Sequence, residues 1–257
     1  MSFRLGYLFD LTGRTALVTG GNSGIGLAMA RALGLAGAEI VLVARRMVEL
    51  EQAQDELSNE GVSACVIAAD LASSEAGAML ALAANKLGAT VDVIVNAAGV
   101  NLREPFLDVS VAAFDLHMAL HLRAPFLLTQ AFAPGMAARG WGRIVNIASM
   151  QSWRAFPNSA PYGAAKGGVL QLTRAIAEEW SAQGVTCNAI APGFFPTSLT
   201  ASVFSDAERA KRLAAQTAIG RNGELNDLIG ATVFLASDAS AYITGQCLAV
   251  DGGFTAK

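Results

Sequence analysis

Short apolar runs alternate with longer helical segments along this chain, and that alternation constrains its fold more than any other feature. Helical spacing of apolar and charged residues predicts helices at about 25–36, 48–59 and 74–87. Parallel strands need a crossover between them, so the pattern predicts an α/β protein with a doubly wound, seven-stranded parallel sheet and helices on both faces. No repeat or linker divides residues 1–257, which are expected to form one domain. The seven predicted strands are TALVT from Thr15, EIVLVA from Glu39, ACVIAA from Ala64, VDVIVN from Val91, RIVNIAS from Arg143, VTCNAIA from Val185 and QCLAV from Gln246.

Composition and charge argue against several classes of partner. The net charge is -3 and the Lys and Arg residues are scattered, so we expect no nucleic-acid partner. The longest uncharged stretch, 180–205, is interrupted by two glycines and two prolines, so no membrane-spanning helix is expected there. The first residues lack a secretion-signal pattern, and we expect a cytoplasmic protein. The three cysteines, an odd number, are predicted to be buried, reduced thiols in strands: Cys65, Cys187 and Cys247.

A glycine-rich turn, TGGNSGIG at 19–26, directly follows the first predicted strand and precedes a helix. Gly20, Gly24 and Gly26 allow the backbone to approach a phosphate group closely, and a helix N-terminus offers unpaired N–H groups. Glycines also occur in ordinary tight turns, but the strand–turn–helix order favours a dinucleotide site.

The end of the second predicted strand indicates which dinucleotide is bound. Its sequence, VLVARR, places Ala44 where a carboxylate would contact a ribose 2′-hydroxyl, and Arg45 and Arg46 follow. A 2′-phosphate requires a cation and is repelled by an acid. The pattern therefore favours NADP(H) over NAD(H), although a basic pair at a strand end can also simply be solvated.

A serine, a tyrosine and a lysine in the second half could carry out proton transfer. Ser149 ends a predicted strand, and YGAAK places Tyr162 and Lys166 on one face of a helix. A nearby ammonium is expected to lower the pKa of the phenol, so that Tyr162 exchanges a proton with a substrate oxygen while Ser149 donates a hydrogen bond to it. Alone, a Tyr–Lys pair at this spacing is also common on helix surfaces.

Together these features resemble the short-chain dehydrogenase/reductase family, of the classical type, over nearly the whole chain. The resemblance implies a single-domain Rossmann fold, hydride transfer between NADP(H) and a secondary alcohol or ketone, and a homotetramer with the final strand and the long helices at interfaces. Within the family, the pattern is closest to gluconate 5-dehydrogenase-like and polyol dehydrogenases and to 3-oxoacyl carrier protein reductases. The motifs that carry it are TGGNSGIG at 19–26, Asp70, NAAG at 96–99, Ser149, YGAAK at 162–166, NAIAPG at 188–193 and VDGG at 250–253.

The resemblance also implies which residues bind the cofactor. Asp70 would contact the adenine, Lys166 would hold the nicotinamide ribose, and the segment 197–217 would form a mobile lid over the substrate. The implied cofactor-binding residues are Gly20, Asn22, Ser23, Gly24, Ile25, Gly26, Arg45, Arg46, Asp70, Leu71, Asn96, Ala97, Gly99, Tyr162, Lys166, Pro192, Gly193, Phe195 and Thr197.

One position departs from the family pattern. The helix before the fifth strand usually carries an Asn that helps to organise a water-linked proton path from the Lys, and His121 stands there. The imidazole could preserve that path with a pH dependence near neutrality. His117 and His121 also have the i, i+4 spacing of a zinc site, but no third ligand is evident, so we expect no metal and treat His117 as an ordinary helix residue.

The substrate is predicted from loop residues that mix hydrogen-bonding groups with large aromatics, which suits a small polyol, a keto-sugar acid or a polar cyclic ketone. A 3-oxoacyl thioester reductase should instead show a basic patch for an acidic carrier, with Arg103, Arg154 and Arg209 as candidates. A third hypothesis is a non-catalytic NADP(H)-binding sensor or structural subunit, which the retained Ser149, Tyr162 and Lys166 disfavour. The predicted substrate-binding residues are Asn101, Arg103, Gln151, Trp153, Asn158 and Phe194.

Overall fold

The computed structural model describes residues 5–257, and its centre is one sheet of seven parallel strands. The strand order is β3-β2-β1-β4-β5-β6-β7, so the predicted doubly wound parallel sheet is confirmed. All seven strands lie at the predicted runs, including β1, where every residue is buried. The strands are β1 (Thr15–Thr19), β2 (Glu39–Ala44), β3 (Ala64–Ala68), β4 (Val91–Asn96), β5 (Gly142–Ile147), β6 (Val185–Pro192) and β7 (Cys247–Val250).

Helices cover both faces of the sheet. The predicted helices at 25–36, 48–59 and 74–87 are confirmed to within two residues at each end. The helices are α1 (Gly24–Leu35), α2 (Met47–Asn59), α3 (Ala76–Lys86), α4 (Val111–Met118), α5 (Ala124–Ala138), α6 (Ala160–Trp180), α7 (Ala201–Phe204), α8 (Ala207–Ala214) and α9 (Ile229–Ala236).

The core is divided by the sheet into two apolar layers. Along β1, Ala16 and Val18 face a layer that includes α1, α2 and α9, whereas Leu17 faces a layer that includes α3, α5 and α6. Strands buried on both faces need continuous apolar runs, which explains the absence of polar alternation in the sequence. Each fully buried leucine, such as Leu33 or Leu128, contributes roughly 1.5–3 kcal/mol to folding.

The polypeptide between β4 and β5 forms one long helical segment interrupted by a π-helical turn at Ala119–Arg123, which joins α4 to α5. The segment Val111–Ala138 is long and apolar enough to cross a membrane by composition alone. In the structure it packs against the protein, with α5 lying on α3, β4 and β5. A π-turn re-aims side chains relative to a regular helix and often marks a functional site.

The strand order places a crevice at the carboxyl edge of the sheet. The chain builds β1, β2 and β3 outward in one direction and then returns to place β4 on the other side of β1. Loops after β1 and β4 therefore leave in opposite directions and open a cleft between them, where ligands bind in folds of this kind. The predicted site residues lie in the loops and helix ends at this edge.

All three cysteines lie in strands with free thiols, as predicted, but the predicted burial holds only for Cys187. Cys187 is fully buried in β6, but Cys65 and Cys247 are only half-buried. Burial raises the pKa of each thiol, to about 12 in Cys247, so the thiols are protonated at neutral pH.

Candidate active site

A single cavity of about 390 Å³ at the carboxyl edge of the sheet collects most of the predicted site residues. Its walls come from the turn after β1, the ends of β2 and β4, the π-turn, the segment after β5, and the segment after β6. The predicted residues that line it are Gly20, Asn22, Ser23, Gly24, Ile25, Gly26, Arg45, Arg46, Leu71, Ala97, Gly99, Asn101, Arg103, His121, Ser149, Gln151, Tyr162, Lys166, Pro192, Gly193, Phe194, Phe195 and Thr197.

The glycine turn forms a cradle of backbone N–H groups at one end of the cavity. A Cβ on Gly26 would lie 2.2 Å from the carbonyl oxygen of Gly20, so only glycine allows the first turn of α1 to pack this closely on the loop. Ser23 caps α1 without a side-chain hydrogen bond, which leaves the N–H groups of the first turn free. A helix start of this kind fits the pyrophosphate of a dinucleotide.

The end of β2 supplies positive charge to the same end of the cavity. Arg45 and Arg46 both line it, and Ala44 stands where a carboxylate would repel a phosphate. Arg46 also forms an ion pair with Glu49, so part of its charge is already engaged. The cations and the glycine cradle together fit the phosphate groups of NADP(H).

Three polar side chains meet at the other end of the cavity. Ser149 caps the short 3₁₀ helix Met150–Ser152, and its Oγ accepts a hydrogen bond from the backbone N–H of Gln151 at 3.1 Å. Tyr162 and Lys166 lie one turn apart on α6, as their spacing predicted, and both are almost completely buried. Ser149 lies close enough to the Tyr162 hydroxyl to lower the pKa of the phenol, and the ammonium of Lys166 lies 5.6 Å from the tyrosine ring centroid.

The expected lowering of the Tyr162 pKa by Lys166 is wrong for this structure. Burial raises the pKa of Tyr162, and the opposing effects come from the Ser149 hydrogen bond and the charge of Arg103. Burial also lowers the pKa of Lys166 to about 7, so only about half of the amine groups carry a charge at neutral pH. Its amine donates a hydrogen bond to the carbonyl oxygen of Ile147. Tyr162 is therefore a protonated phenol at neutral pH, ready to donate rather than to accept.

His121 lies in the π-turn and lines the cavity beside Tyr162, with the two ring centroids 5.2 Å apart and edge to face. Its Nε2 lies 2.8 Å from the carbonyl oxygen of Val100, while its buried Nδ1 has no hydrogen-bond partner within residues 5–257. Burial, the charge of Lys166 and the neighbouring His117 hold the pKa of His121 well below its usual value. The predicted titration near neutrality is therefore wrong, because the imidazole is already neutral there.

Four predicted site residues do not line the cavity. The Asp70 carboxylate accepts a hydrogen bond from the N–H of Ala72 at 3.0 Å, whereas the neighbouring Leu71 faces the cavity. The Asn96 amide is buried in the sheet and donates to Asn146 at 2.8 Å. The other two are Trp153, which is 50% exposed, and Asn158, which is exposed with a φ of 58°.

Sequence reasoning missed residues that form the apolar part of the cavity and one that supports it. Phe156 was not predicted, yet its ring lies 6.2 Å from that of Phe194, and both line the cavity. His117, treated as an ordinary helix residue, is completely buried and accepts a hydrogen bond from the N–H of Leu102. The lining residues outside the predicted list of site residues are Ala44, Ala69, Ala98, Val100, Leu120, Ile147, Ala148, Met150, Phe156, Ser198, Leu199, Thr200 and Val203, of which the last four lie in the predicted lid segment 197–217.

Known proteins are similar to this chain over nearly its whole length. A family model of short-chain dehydrogenases/reductases, described as enoyl-(acyl carrier protein) reductase, matches residues 20–255. Gluconate 5-dehydrogenase from Gluconobacter oxydans (strain 621H) is 40% identical over 248 residues, which cover 96% of this chain and 97% of the relative. The chain belongs to the short-chain dehydrogenase/reductase family. It is a dehydrogenase that acts on CH–OH groups.

Solved structures of other family members superpose closely on this one. A gluconate 5-dehydrogenase from Burkholderia cenocepacia J2315, in complex with NADP and tartrate, has a TM-score of 0.94 and 37% identity, covering 99% of this chain and 100% of that one. A 3-oxoacyl (acyl-carrier-protein) reductase from Agrobacterium tumefaciens C58 with NADP bound has a TM-score of 0.92 and 31% identity, covering 98% of each chain. The family fold is therefore shared by enzymes with different substrates.

Proposed function

We propose that this short-chain dehydrogenase/reductase uses NADP(H) to interconvert a ketone and a secondary alcohol on a small hydroxylated sugar acid. The observation that carries the proposal is the meeting of Ser149, Tyr162 and Lys166 at one end of a cavity whose other end is a glycine cradle with Arg45 and Arg46. The substrate class is supported by relatives that are named for gluconate. The cofactor is supported by solved neighbours with bound NADP.

NADP(H), when bound, supplies or removes the hydride. In the reducing direction, Ser149 donates a hydrogen bond to the ketone oxygen, and Tyr162 donates the proton as that oxygen gains negative charge. Ketone, NADPH and one proton become alcohol and NADP⁺. Lys166, whose amine lies 5.6 Å from the Tyr162 ring centroid, replaces the proton that the phenol loses, and His121 packs edge to face against the same ring. In the oxidising direction Tyr162 must first pass its proton to Lys166, and the resulting phenolate then takes the proton of the alcohol.

The charge in the substrate half of the cavity supports an acidic substrate. Arg103, in the loop after β4, lines the cavity, and its guanidinium is close enough to Tyr162 for its charge to lower the pKa of the phenol. A guanidinium binds a carboxylate with two parallel hydrogen bonds. Arg103 is therefore the proposed partner of the substrate carboxylate, and that carboxylate would lie a few bonds from the reacting carbon.

The position of the segment 197–217 beside the cavity supports its proposed role as a lid. It contains α7 and α8, and Thr197, Leu199 and Val203 line the cavity from this segment. Closing it over the substrate would exclude water from the proton-transfer site.

Exposed apolar side chains support the proposed homotetramer. Phe106, Leu107, Val111 and Phe114 lie exposed before and within α4, and Leu107 is 95% exposed. Contiguous exposed apolar residues are typical of subunit interfaces.

A 3-oxoacyl thioester reductase is the second candidate, since a solved neighbour carries that activity. Of the three arginines proposed for a carrier, Arg154 instead donates to the carbonyl oxygen of Phe254, while Arg103 and Arg209 are close enough to interact electrostatically. A panel of keto-sugar acids, polyols, cyclic ketones and a 3-oxoacyl thioester, assayed with NADPH and NADH by nicotinamide absorbance, separates the candidates. Turnover of the thioester alone would refute the sugar-acid proposal, and turnover of nothing would favour a non-catalytic binding protein.

A further inference from the structure

Three phenylalanine rings pack together at the apolar wall of the cavity. Phe156 and Phe194 line the cavity, whereas Phe254 does not line it and is only 3% exposed. The ring centroid of Phe254 lies 5.7 Å from that of Phe194, edge to face, and 6.4 Å from that of Phe156, at an interplanar angle of 29°. Since the rings of Phe156 and Phe194 are also 6.2 Å apart, the three contacts close a triangle. Aromatic pairs at these separations attract each other, so each ring restrains the other two.

The loop that carries Phe156 depends on this cluster for its position. Phe156 is the only side chain of the segment 153–158 that is not exposed. Arg154, in the same segment, donates a hydrogen bond to the carbonyl oxygen of Phe254 at 3.1 Å, and its guanidinium carbon lies 5.3 Å from the centroid of the Phe254 ring. Phe254 therefore holds this loop at two points, through the ring of Phe156 and through Arg154.

Phe254 itself is fixed by the turn that follows β7. The carboxylate of Asp251 accepts hydrogen bonds from the N–H groups of Gly253 and Thr255, each at 2.9 Å, and from the hydroxyl of Thr255 at 2.6 Å. Because Gly253 and Thr255 flank Phe254, these bonds hold the backbone on both sides of it. The Phe254 ring is thus a fixed support against which the other two rings pack.

Phe194 has free space behind it. A second cavity, of about 370 Å³, lies between the segment after β6 and the turn after β7, and Phe194 lines both cavities. Ile219 and Val250 are among the other residues that line the second cavity. A side chain beside a void has no packing contacts on that side to hold it. The contacts with Phe156 and Phe254 therefore keep the Phe194 ring on the substrate side.

We propose that Phe254 is a positioning residue that sets the size of the substrate end of the cavity. By holding Phe156 and Phe194 in place, it excludes ketones that carry a bulky group, such as an aromatic ring, beside the carbonyl. Truncation of Phe254 lets Phe194 turn into the second cavity, which enlarges the substrate end. This inference rests on the ketone reduction proposed above and adds to it a limit on substrate size.

A crystal structure of the Phe254→Ala variant tests the positioning directly. The ring of Phe194 should turn toward the second cavity in this variant. In Phe254→Tyr, which keeps an aromatic ring at this position, Phe194 should stay where it is. A Phe194 ring that does not move in Phe254→Ala would overturn the proposal, whichever ketone is the substrate.

Steady-state kinetics with NADPH test the limit on size. The fastest ketone of the panel above is compared with its benzyl-substituted analogue, which for 5-keto-D-gluconate is the 6-O-benzyl ether. In Phe254→Ala, kcat/KM for the benzyl analogue relative to the parent ketone should rise at least about tenfold over the wild-type ratio. The parent ketone should show a raised KM but a kcat within about threefold of the wild-type value, because Ser149 and Tyr162 lie outside the ring cluster.

Matched variants separate positioning from general damage. Phe254→Tyr should keep the wild-type ratio of the two kcat/KM values. Phe234→Ala makes the same truncation at a partly buried ring in α9, away from the cavity, and should lower the Tm without changing the ratio. Arg154→Met removes the cation and the hydrogen bond from Phe254 and should raise the ratio about two- to fivefold.

The outcomes distinguish this inference from the proposed function. An unchanged ratio in Phe254→Ala, or an equal change in Phe234→Ala, would overturn the limit on size and leave the ketone reduction intact. Absence of turnover with every ketone of the panel would overturn the proposed function, and the position of Phe194 would still decide the positioning role. Should Phe254→Ala fail to fold, as judged by circular dichroism, Phe254→Leu takes its place in both experiments with the same expected and opposing results.

Discussion

Replacing Arg45 with Ala is expected to weaken NADPH binding while leaving NADH binding unchanged. Both Arg45 and Arg46 line the cavity beyond β2, but the ion pair with Glu49 competes for Arg46. Arg45 forms no ion pair within residues 5–257, so it is the more available cation for a 2′-phosphate. A hydrogen bond to a charged group contributes about 1.5–3 kcal/mol. Because Arg45 is exposed to solvent, we expect a contribution near the lower end of that range. Its loss should raise KM for NADPH about tenfold.

Steady-state kinetics with both dinucleotides measure this effect directly. Arg46→Ala should raise KM for NADPH less than Arg45→Ala does, and Glu49→Gln, the matched control, should lower it by roughly twofold by releasing Arg46. A higher salt concentration should reduce the difference in KM for NADPH between the wild-type enzyme and Arg45→Ala, because salt screens exposed charges. An equal rise in KM for NADPH and NADH, or a larger effect at Arg46, would refute the reasoning.

Three further predictions follow from the cavity. Gly26→Ala should raise the Kd for NADPH at least about tenfold in a fluorescence titration, since the new Cβ would meet the carbonyl oxygen of Gly20; an unchanged Kd would show that the turn does not hold the cofactor. His121→Asn should leave the shape of the pH–kcat profile above pH 6.5 unchanged, because the imidazole is already neutral there; loss of a titration near neutrality would contradict its lowered pKa. Lys166→Met should abolish turnover yet raise the Tm of the cofactor-free protein at pH 7 by about 4–8 °C, because about 4 kcal/mol of relieved burial outweighs about 2 kcal/mol for the Ile147 carbonyl oxygen that loses its partner. That gain should shrink between pH 7 and 10.5, because in this range the unfolded lysine still holds a proton that the folded one has lost, and a constant difference would contradict the assignment.

The sheet and much of the site could be predicted because they depend on local patterns. Strands buried on both faces need continuous apolar runs, and the turn after β1 needs glycines, so both leave a clear signal in the sequence. The spacing of Tyr162 and Lys166 placed them together on α6, and the absence of an acid at Ala44 marked the phosphate end of the cavity.

The electrostatics and the loop supports could not be predicted because they depend on tertiary packing. Nothing in the local sequence says that burial raises the pKa of Tyr162, or that Asn96 pairs with Asn146 across the sheet. The π-turn likewise brings His117 and His121 under a loop distant in sequence. The sequence predicted a role for His121 in a proton path and treated His117 as an ordinary helix residue, so it did not predict the support that both give to the loop.

The Tyr162→Phe variant tests the central claim, that the buried phenol donates the proton to the carbonyl oxygen. The ring keeps its edge-to-face contact with His121, so the fold and the Kd for NADPH should be retained. Under saturating NADPH and ketone, kcat should fall by about 10²- to 10⁴-fold, whereas Tyr7→Phe, at an exposed position, should leave kcat unchanged. A Tyr162→Phe enzyme that binds NADPH and reduces the ketone at the wild-type rate would contradict the account.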